Sequence, residues 1–244
     1  MTDDPKNQKP SPQGKTLTVS GHYSSDSKDI SGIALIAKEG VKTSITVFTP
    51  AKGPEVKNVT IRQSSTNDWA IIEGSNHTID QGAGNDTLQF GPDEITEGGS
   101  VAGKYVSKNA KVTQGAGNDT LDLLDNNGGV TGSVFDGGEG TDKAQLVCLD
   151  PTVTTITRTA GGLVIQNNAT KLPKFYQGYA KPSSNLFKNY ETMEFSGMSG
   201  TITLDLKELA ALPLGKPVSV AEADLSNAAK TPSVKPEKPP VKSH

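Results

Sequence analysis

A chain of 244 residues with 33% hydrophobic and 5% aromatic content is poorly suited to one broad globular core, and its 26 glycines favour tight turns over long helices. The net charge is −3 at pH 7 and the only arginines are Arg62 and Arg158, so the basic surface of a nucleic-acid-binding protein is missing. A single cysteine excludes an intramolecular disulfide, and no run approaches the ~20 apolar residues needed to span a membrane.

The chain begins with a polar, proline-rich stretch, and residues 1–15 are predicted to be a disordered tail. This stretch lacks the basic-then-apolar pattern of a cleaved secretory signal. From residue 16 onward, short runs rich in Val, Ile and Thr alternate with Gly, Asn, Asp and Ser, which predicts an all-β chain. Residues 16–57 are expected to form N-terminal β coils or a cap.

A nine-residue repeat starts at residue 58. Four consecutive asparagines of the repeat open similar phrases, NVTIRQSST, NDWAIIEGS, NHTIDQGAG and NDTLQFGPD, at positions Asn58, Asn67, Asn76 and Asn85. The phrase returns as NAKVTQGAG and NDTLDLLDN from residue 109, and in weaker form as GSVFDGGEG and TDKAQLVCL from residue 132. The fourth position is apolar in every copy: Ile61, Ala70, Ile79, Leu88, Val112, Leu121, Phe135 and Ala144.

If each nonapeptide is one strand and one turn, two nonapeptides form an 18-residue coil and alternate turns stack on the same edge. Residues 58–149 are therefore predicted to form a parallel β-roll or right-handed parallel β-helix of short stacked coils. Ile61, Ile79, Val112 and Phe135 would form one inward column, and Ala70, Leu88, Leu121 and Ala144 another. The insertions at 89–108 and 126–131 are expected on the edge opposite the glycine-rich loops. A stacked amide ladder of the loop asparagines, with a structural role, is expected as well.

The glycine-rich loops read GAGNDTL twice and GGEGTDKA once, close to the nonapeptide G-G-x-G-x-D-x-U-x. On these residues the chain resembles the repeats-in-toxin family over positions 58–146. Two loops depart from the pattern, because Gln81 and Gln114 replace the first glycine. The earliest loop, QSSTND, has no glycine and keeps only Asp68.

The resemblance implies calcium held between stacked loops, and calcium prefers six to eight oxygen ligands. Stacked Asp side chains without a cation would place like charges ~5 Å apart. Two gaps between three full loops predict about two ions, with Asp68 as a weaker third ligand; metal-free turns capped by local hydrogen bonds are the alternative. The expected carboxylate ligands and the glycines shaping carbonyl ligands are Asp86, Asp119, Asp142, Gly82, Gly84, Gly115, Gly117, Gly138 and Gly140.

The region after the repeat, residues 150–212, is predicted to be a C-terminal β cap that covers the open strand edge. Within it, residues 189–212 loosely resemble the capping stretch of large secreted adhesins, and LDLKELAAL at 204–212 is expected to be a short helix. Residues 213–244 are predicted to be a Lys/Pro-rich tail.

The family resemblance implies a calcium-stabilised, non-enzymatic module of a secreted or translocated bacterial protein of the toxin or adhesin kind. Export without a cleaved N-terminal signal and folding where calcium is plentiful are part of that expectation. Besides calcium, an extracellular carbohydrate or protein is the expected partner. Three alternatives remain: a carbohydrate-active β-helix enzyme such as a pectate-lyase-like protein, self-cleavage at Asp150-Pro151, and an ice-binding face. The enzyme would need a base beside clustered carboxylates, and Arg62 is the only arginine in the repeat.

Overall fold

The computed structural model describes residues 14, 16–25, 28–49, 54–91, 106–124, 129–147, 149–172, 174, 182–197 and 199–223. The tail predicted for residues 1–15 lies outside this set except for Gly14, and so does everything after Ala223. Within the described part, no helix has the length and apolar character that crossing a membrane requires.

Short β-strands follow one another along the whole described chain. The first ten are β1 (Thr16–Val19), β2 (His22–Ser24), β3 (Ala34–Ala37), β4 (Ser44–Val47), β5 (Thr60–Arg62), β6 (Trp69–Ile72), β7 (Thr78–Asp80), β8 (Thr87–Phe90), β9 (Ser107–Lys108) and β10 (Lys111–Gly117). The next ten are β11 (Thr120–Leu124), β12 (Val130–Thr131), β13 (Val134–Gly140), β14 (Lys143–Val147), β15 (Thr154–Thr159), β16 (Gly162–Asn167), β17 (Ser183–Lys188), β18 (Thr192–Gly197), β19 (Gly200–Asp205) and β20 (Pro217–Ser219).

These strands build two sheets between which the chain alternates. In sheet A the order β1-β3-β5-β7-β10-β13-β17 is parallel throughout, and in sheet B the order β2-β4-β6-β8-β11-β14-β18 is parallel as well. One strand of sheet A followed by one strand of sheet B makes one coil. The predicted all-β fold of stacked parallel coils is therefore confirmed.

The core consists of in-register columns, as the repeat predicts. In sheet A, Ile61 pairs with Ile79, which pairs with Val112, and the column continues through Phe135 to Phe187. In sheet B the corresponding column, all fully buried, runs through Ala70, Leu88, Leu121, Ala144 and Met193. Since successive strand residues face opposite sides, the nine-residue register places the same position inside in every coil.

Residues 16–57 contribute strands β1 to β4, which form two further coils rather than a separate cap. Leu35 extends the sheet A column and Ile45 extends the sheet B column, and both are fully buried. The stack thus starts well before the recognisable nonapeptides.

Both insertions follow a sheet B strand and precede a sheet A strand, which places their described ends on the edge opposite the glycine-rich loops. The described ends of the insertions include strand residues, because residues 89–90 belong to β8, and β9 and β12 pair with each other. Residues 92–105 and 125–128 lie outside the described set.

The C-terminal end is closed by antiparallel strands. The hairpin β15–β16 pairs with β17, β20 pairs with β15, and β19 pairs with β18. The predicted helix at 204–212 is wrong in extent, because Leu204 and Asp205 complete β19 and only a 3-10 helix at Glu208–Ala211 follows. The tail predicted from residue 213 starts too early, since β20 joins sheet A and Val220 and Ala223 are buried in the core.

Replacing Leu121 by Ala is expected to lower the free energy of unfolding by about 2–5 kcal/mol, because it opens a cavity in a fully buried column. The matched control is Leu214→Ala, at a leucine that is 63% exposed, where a change within about 0.5 kcal/mol is expected. Urea denaturation of both variants measures the difference. Equal effects would show that Leu121 is not part of the core.

Candidate functional site

The glycine-rich loops each connect a sheet A strand to a sheet B strand, and they stack on one edge of the molecule. Gly115 is in register with Gly138, Gly117 with Gly140, and Ala116 forms a bridge with Ala83. The loops of residues 82–86, 115–119 and 138–142 therefore lie one above another. All the site residues predicted from the sequence belong to this stack.

Glycine is required in these loops because neighbouring backbones approach very closely. A Cβ atom on Gly115 would lie 1.7 Å from the carbonyl oxygen of Gly82, and one on Gly140 would lie 1.5 Å from that of Gly117. Both residues also have positive φ angles, of 112° and 145°, which side-chain-bearing residues rarely adopt. Carbonyl oxygens of one loop consequently point at the next loop along the stack.

A column of buried carboxylates runs through the loops beside the glycines. The Asp86 Oδ1 atom accepts a hydrogen bond from the Asp68 N–H at 2.7 Å, and Asp119 Oδ1 accepts from the Asp86 N–H at 2.7 Å. Asp142 Oδ1 accepts in the same way from the Asp119 N–H at 2.8 Å. Glu191 completes the column, because its Oε2 accepts from the Asp142 N–H at 2.7 Å. The nonapeptide pattern does not reach Glu191, so no sequence signal pointed to it.

The second oxygen of these carboxylates distinguishes the glycine-containing loops from the earliest one. Oδ2 of Asp86, Asp119 and Asp142 is buried and has no hydrogen-bond partner. In the QSSTND loop, Asp68 Oδ2 accepts from both the backbone N–H and the hydroxyl of Ser64. Its Oδ1 accepts from Thr43 and from the Thr66 hydroxyl. The loop without glycine thus satisfies its own carboxylate, whereas the three glycine loops each leave one oxygen open.

The asparagines of the loops form a second column with the opposite polarity. Asn67 Oδ1 accepts from the Asn85 N–H at 2.8 Å, Asn85 Oδ1 from the Asn118 N–H at 2.8 Å, and Asn118 Oδ1 from the Thr141 N–H at 3.0 Å. Asn side chains therefore reach towards the C-terminal neighbour and Asp side chains towards the N-terminal one. Each pair of glycine loops is joined by both kinds of bond, and the predicted structural role of the Asn ladder fits this geometry.

A third column consists of the glutamines that replace the first glycine of the family pattern. Gln81 Nε2 donates to Gln63 Oε1 at 2.9 Å, and Gln114 Nε2 donates to Gln81 Oε1 at 3.1 Å. The next loop has Gly137 at this position, and there the Tyr190 hydroxyl reaches back to donate to Gln114 Oε1 at 2.7 Å. The glutamines at the first-glycine position thus form a continuous buried amide ladder with the Tyr190 phenol at its end.

The carboxylates are electrostatically strained. The pKa of Asp86 is raised to about 7, mainly by burial. The hydrogen bond from the Asp68 backbone lowers this pKa, and the charges of Asp119 and Asp68 raise it. Burial likewise raises the pKa of Asp142 to about 6, with added repulsion from Asp119 and Glu191, and it raises the pKa of Asp119. These are the shifts expected when like charges are stacked away from water.

The donor set fits a hard divalent cation. It offers one unpartnered carboxylate oxygen per glycine loop and backbone carbonyls that point along the stack, all of them oxygen ligands of the kind calcium prefers. Gly82 O already accepts from the Ala116 N–H at 3.1 Å, so an ion would use its second lone pair. Among the described residues, no three or more His, Cys, Asp or Glu side chains form a metal cluster, so carbonyls or water would complete the shell.

Asp150, of the Asp150-Pro151 pair, is buried just after β14 and serves as a turn cap. Its Oδ1 accepts from the Thr152 N–H and hydroxyl, and its Oδ2 accepts from the Ser199 N–H at 2.8 Å. Burial raises the pKa of Asp150, but these hydrogen bonds outweigh it and the pKa lies below its ordinary value. The carboxylate is therefore held ionised in a structural role, and self-cleavage stays a prediction without support from this geometry.

Comparison with models of protein families, with curated proteins and with solved structures finds no match for this chain. The functional argument therefore rests on the loop geometry and on the motif itself.

The raised pKa of Asp86 predicts that the metal-free protein loses stability as the pH rises. The folded state holds a proton on Asp86 up to about pH 7, whereas the unfolded chain releases it near 3.8, so stability falls between these values. In EDTA, the wild type is expected to lose more stability from pH 5 to pH 8 than Asp86→Asn. The lowered pKa of His77 acts in the opposite direction but is common to both proteins. Parallel urea-stability profiles would contradict the prediction.

Tyr190→Phe is expected to lower the free energy of unfolding by about 1–3 kcal/mol, because it leaves Gln114 Oε1 buried without its donor. A double-mutant cycle with Gln114→Leu isolates this bond. In the Gln114→Leu background, Tyr190→Phe should cost less, because the hydroxyl no longer has the Gln114 amide to bond. Additive effects in urea denaturation would show that the hydroxyl does not complete the ladder.

Proposed function

We propose that this protein is a calcium-binding, calcium-stabilised, non-enzymatic module of a secreted or translocated bacterial protein of the toxin or adhesin kind. One observation carries the proposal: three buried carboxylate oxygens, on Asp86, Asp119 and Asp142, lack any partner and lie in successive stacked loops. Burying a charged oxygen without a hydrogen-bond partner is unfavourable, so its repetition in three successive loops favours a bound cation.

The loop of Asp68 supports this inference because it supplies an internal comparison. It occupies the same position in the coil, contains no glycine, and surrounds its carboxylate with Ser and Thr donors. The glycine loops have no hydroxyl at the positions of Ser64 and Thr66, because glycine stands there. Their composition therefore favours an external partner for the carboxylate over a turn closed by local hydrogen bonds, and it makes Asp68 a poor candidate for the weaker third ligand considered above.

The same chemistry and the family resemblance support the proposed extracellular setting. Where calcium is scarce, the ionised Asp column opposes stacking, and where calcium is plentiful, binding adds to the free energy of folding. A module of this kind would fold after export. An extracellular carbohydrate or protein remains the proposed further partner.

A carbohydrate-active β-helix enzyme is the second candidate, and one observation favours it. On the outer face of sheet A, Arg62 is in register with Asp80, Asp80 with Thr113, and Thr113 with Asp136. The structure thus brings the Arg62 guanidinium and two carboxylates into one row, which the linear neighbours of Arg62 did not suggest. Incubation with an acidic polysaccharide and calcium, with Arg62→Gln as control, tests it: product formation by the wild type alone would favour the enzyme.

Calcium is expected to raise the melting temperature of the wild type, since a ligand at a hundred times its Kd adds about 2.7 kcal/mol per site. Asp119→Asn should lose most of this rise, because its loop borders both gaps between the glycine loops, while the amide oxygen still accepts from the Asp86 N–H. Calorimetric titration with calcium, and circular dichroism in calcium and in EDTA, measure binding and folding separately.

Two matched controls separate ligation from general charge effects. Asp80→Asn removes a carboxylate from the exposed outer face, and Asp68→Asn removes the one that the protein already satisfies. Both variants should keep the calcium response. If calcium does not stabilise the wild type, or stabilises Asp119→Asn equally, the metal proposal fails and the loops are plain turns.

A further inference from the structure

A cavity of about 210 Å³ lies at the C-terminal end of the core. It is bounded by the β15–β16 hairpin, by β17, and by the segment that carries the 3-10 helix Glu208–Ala211. Its principal lining residues are Arg158, Leu163, Phe187, Lys188, Leu206 and Leu209.

Arg158 occupies an unusual position for a charged side chain. It is paired with Leu163 across the β15–β16 hairpin, and Leu163 is paired with Phe187 across β16–β17. Directly paired residues of antiparallel strands share one face of the sheet. Since Phe187 belongs to the inward column of sheet A, Arg158 projects from the core-facing side of the sheet.

Within the part of the chain that the structure describes, the guanidinium of Arg158 has no counter-charge and is held by a backbone contact. Its Nη1 donates to the carbonyl oxygen of Leu212 at 3.1 Å, and its own carbonyl accepts from the Gly215 N–H at 2.8 Å. The ion pairs found among the described residues are Lys57–Glu55 and Lys143–Glu194, and neither involves the cavity. Of five guanidinium N–H donors, one is used, so the others can be offered to a ligand.

The shape and polarity of the cavity define the ligand. Leu163 and Leu206, which are partly exposed, supply apolar walls over the buried Phe187 and Leu209, Arg158 supplies positive charge, and the lining residues that the structure describes include no acidic side chain. The volume is below the roughly 300–1,000 Å³ of sites for drug-sized ligands, which calls for a compact molecule. Arginine matches a carboxylate by two parallel hydrogen bonds.

We propose that this cavity binds a small organic anion, a carboxylate that carries a compact apolar group, with the Arg158 guanidinium as its ion-pairing partner. The apolar group would contact Leu163 and Leu206. This proposal is independent of calcium in the loops, because none of the residues involved belongs to the carboxylate column.

Benzoate and benzamide are suitable probes, since they have nearly the same shape and differ in charge. Their binding to the full chain is followed by backbone amide NMR shifts in calcium-containing buffer. Benzoate should shift resonances of residues 158–163 and 187–190 in a saturable manner, and benzamide should bind at least ~10-fold more weakly because it lacks the charge-assisted bonds. Arg158→Gln should weaken benzoate at least ~10-fold, whereas Arg62→Gln, at the other arginine, should not.

Arg158→Lys provides a second variant in case the Gln substitution disturbs the fold, and it should retain part of the benzoate affinity because it keeps the charge. No saturable shift with benzoate would overturn the proposal. Equal binding of benzoate and benzamide would show an apolar cavity without anion preference and would overturn it too. Unchanged benzoate affinity in a folded Arg158→Gln protein would have the same meaning.

Discussion

In-register stacking of parallel strands is the constraint on which the rest of this structure depends. Each residue of a coil lies about one strand spacing, ~5 Å, from the same residue of the next coil. Ile61, Leu88 and Phe135 therefore each belong to a continuous apolar column. Such columns bury side chains completely in a narrow core. For polar residues the same rule repeats the free-energy cost of burial in every coil, because one carboxylate in the repeat becomes a row of carboxylates in the fold.

The loops form hydrogen bonds along the stack at three positions, each with a different kind of side chain. Asn side chains satisfy the backbone of the next coil, Gln side chains satisfy one another, and Asp side chains satisfy the backbone of the previous coil with one oxygen only. An amide can be donor and acceptor at once, so an amide ladder is neutral and closed. An ionised carboxylate only accepts, and it has too few donors in the glycine loops. Among the described residues, the loop carboxylates left with such an imbalance are Asp86, Asp119 and Asp142.

The periodic part of the structure could be predicted from the sequence, and the non-periodic part could not. A nine-residue period fixes which residue faces the core, so the columns of Ile61 and Ala70 and the alignment of the loops followed from spacing alone. Tyr190, Glu191 and β20 meet the repeat only through contacts between residues far apart in the chain, which no local pattern records. The hydroxyls around Asp68 were visible in QSSTND, but their geometry depends on Thr43, a whole coil earlier.

The contrast between Asp68 and the later aspartates also indicates where a cation matters for stability. The coils before residue 78 contain no unpartnered loop carboxylate among the described residues, so their stacking carries no such electrostatic penalty. The penalty begins with Asp86 and ends with Asp142, where Tyr190 and Glu191 close two of the columns. Under the proposed function, calcium would therefore act on the middle of the stack. The N-terminal coils and the antiparallel cap would depend on it only through the coils between them.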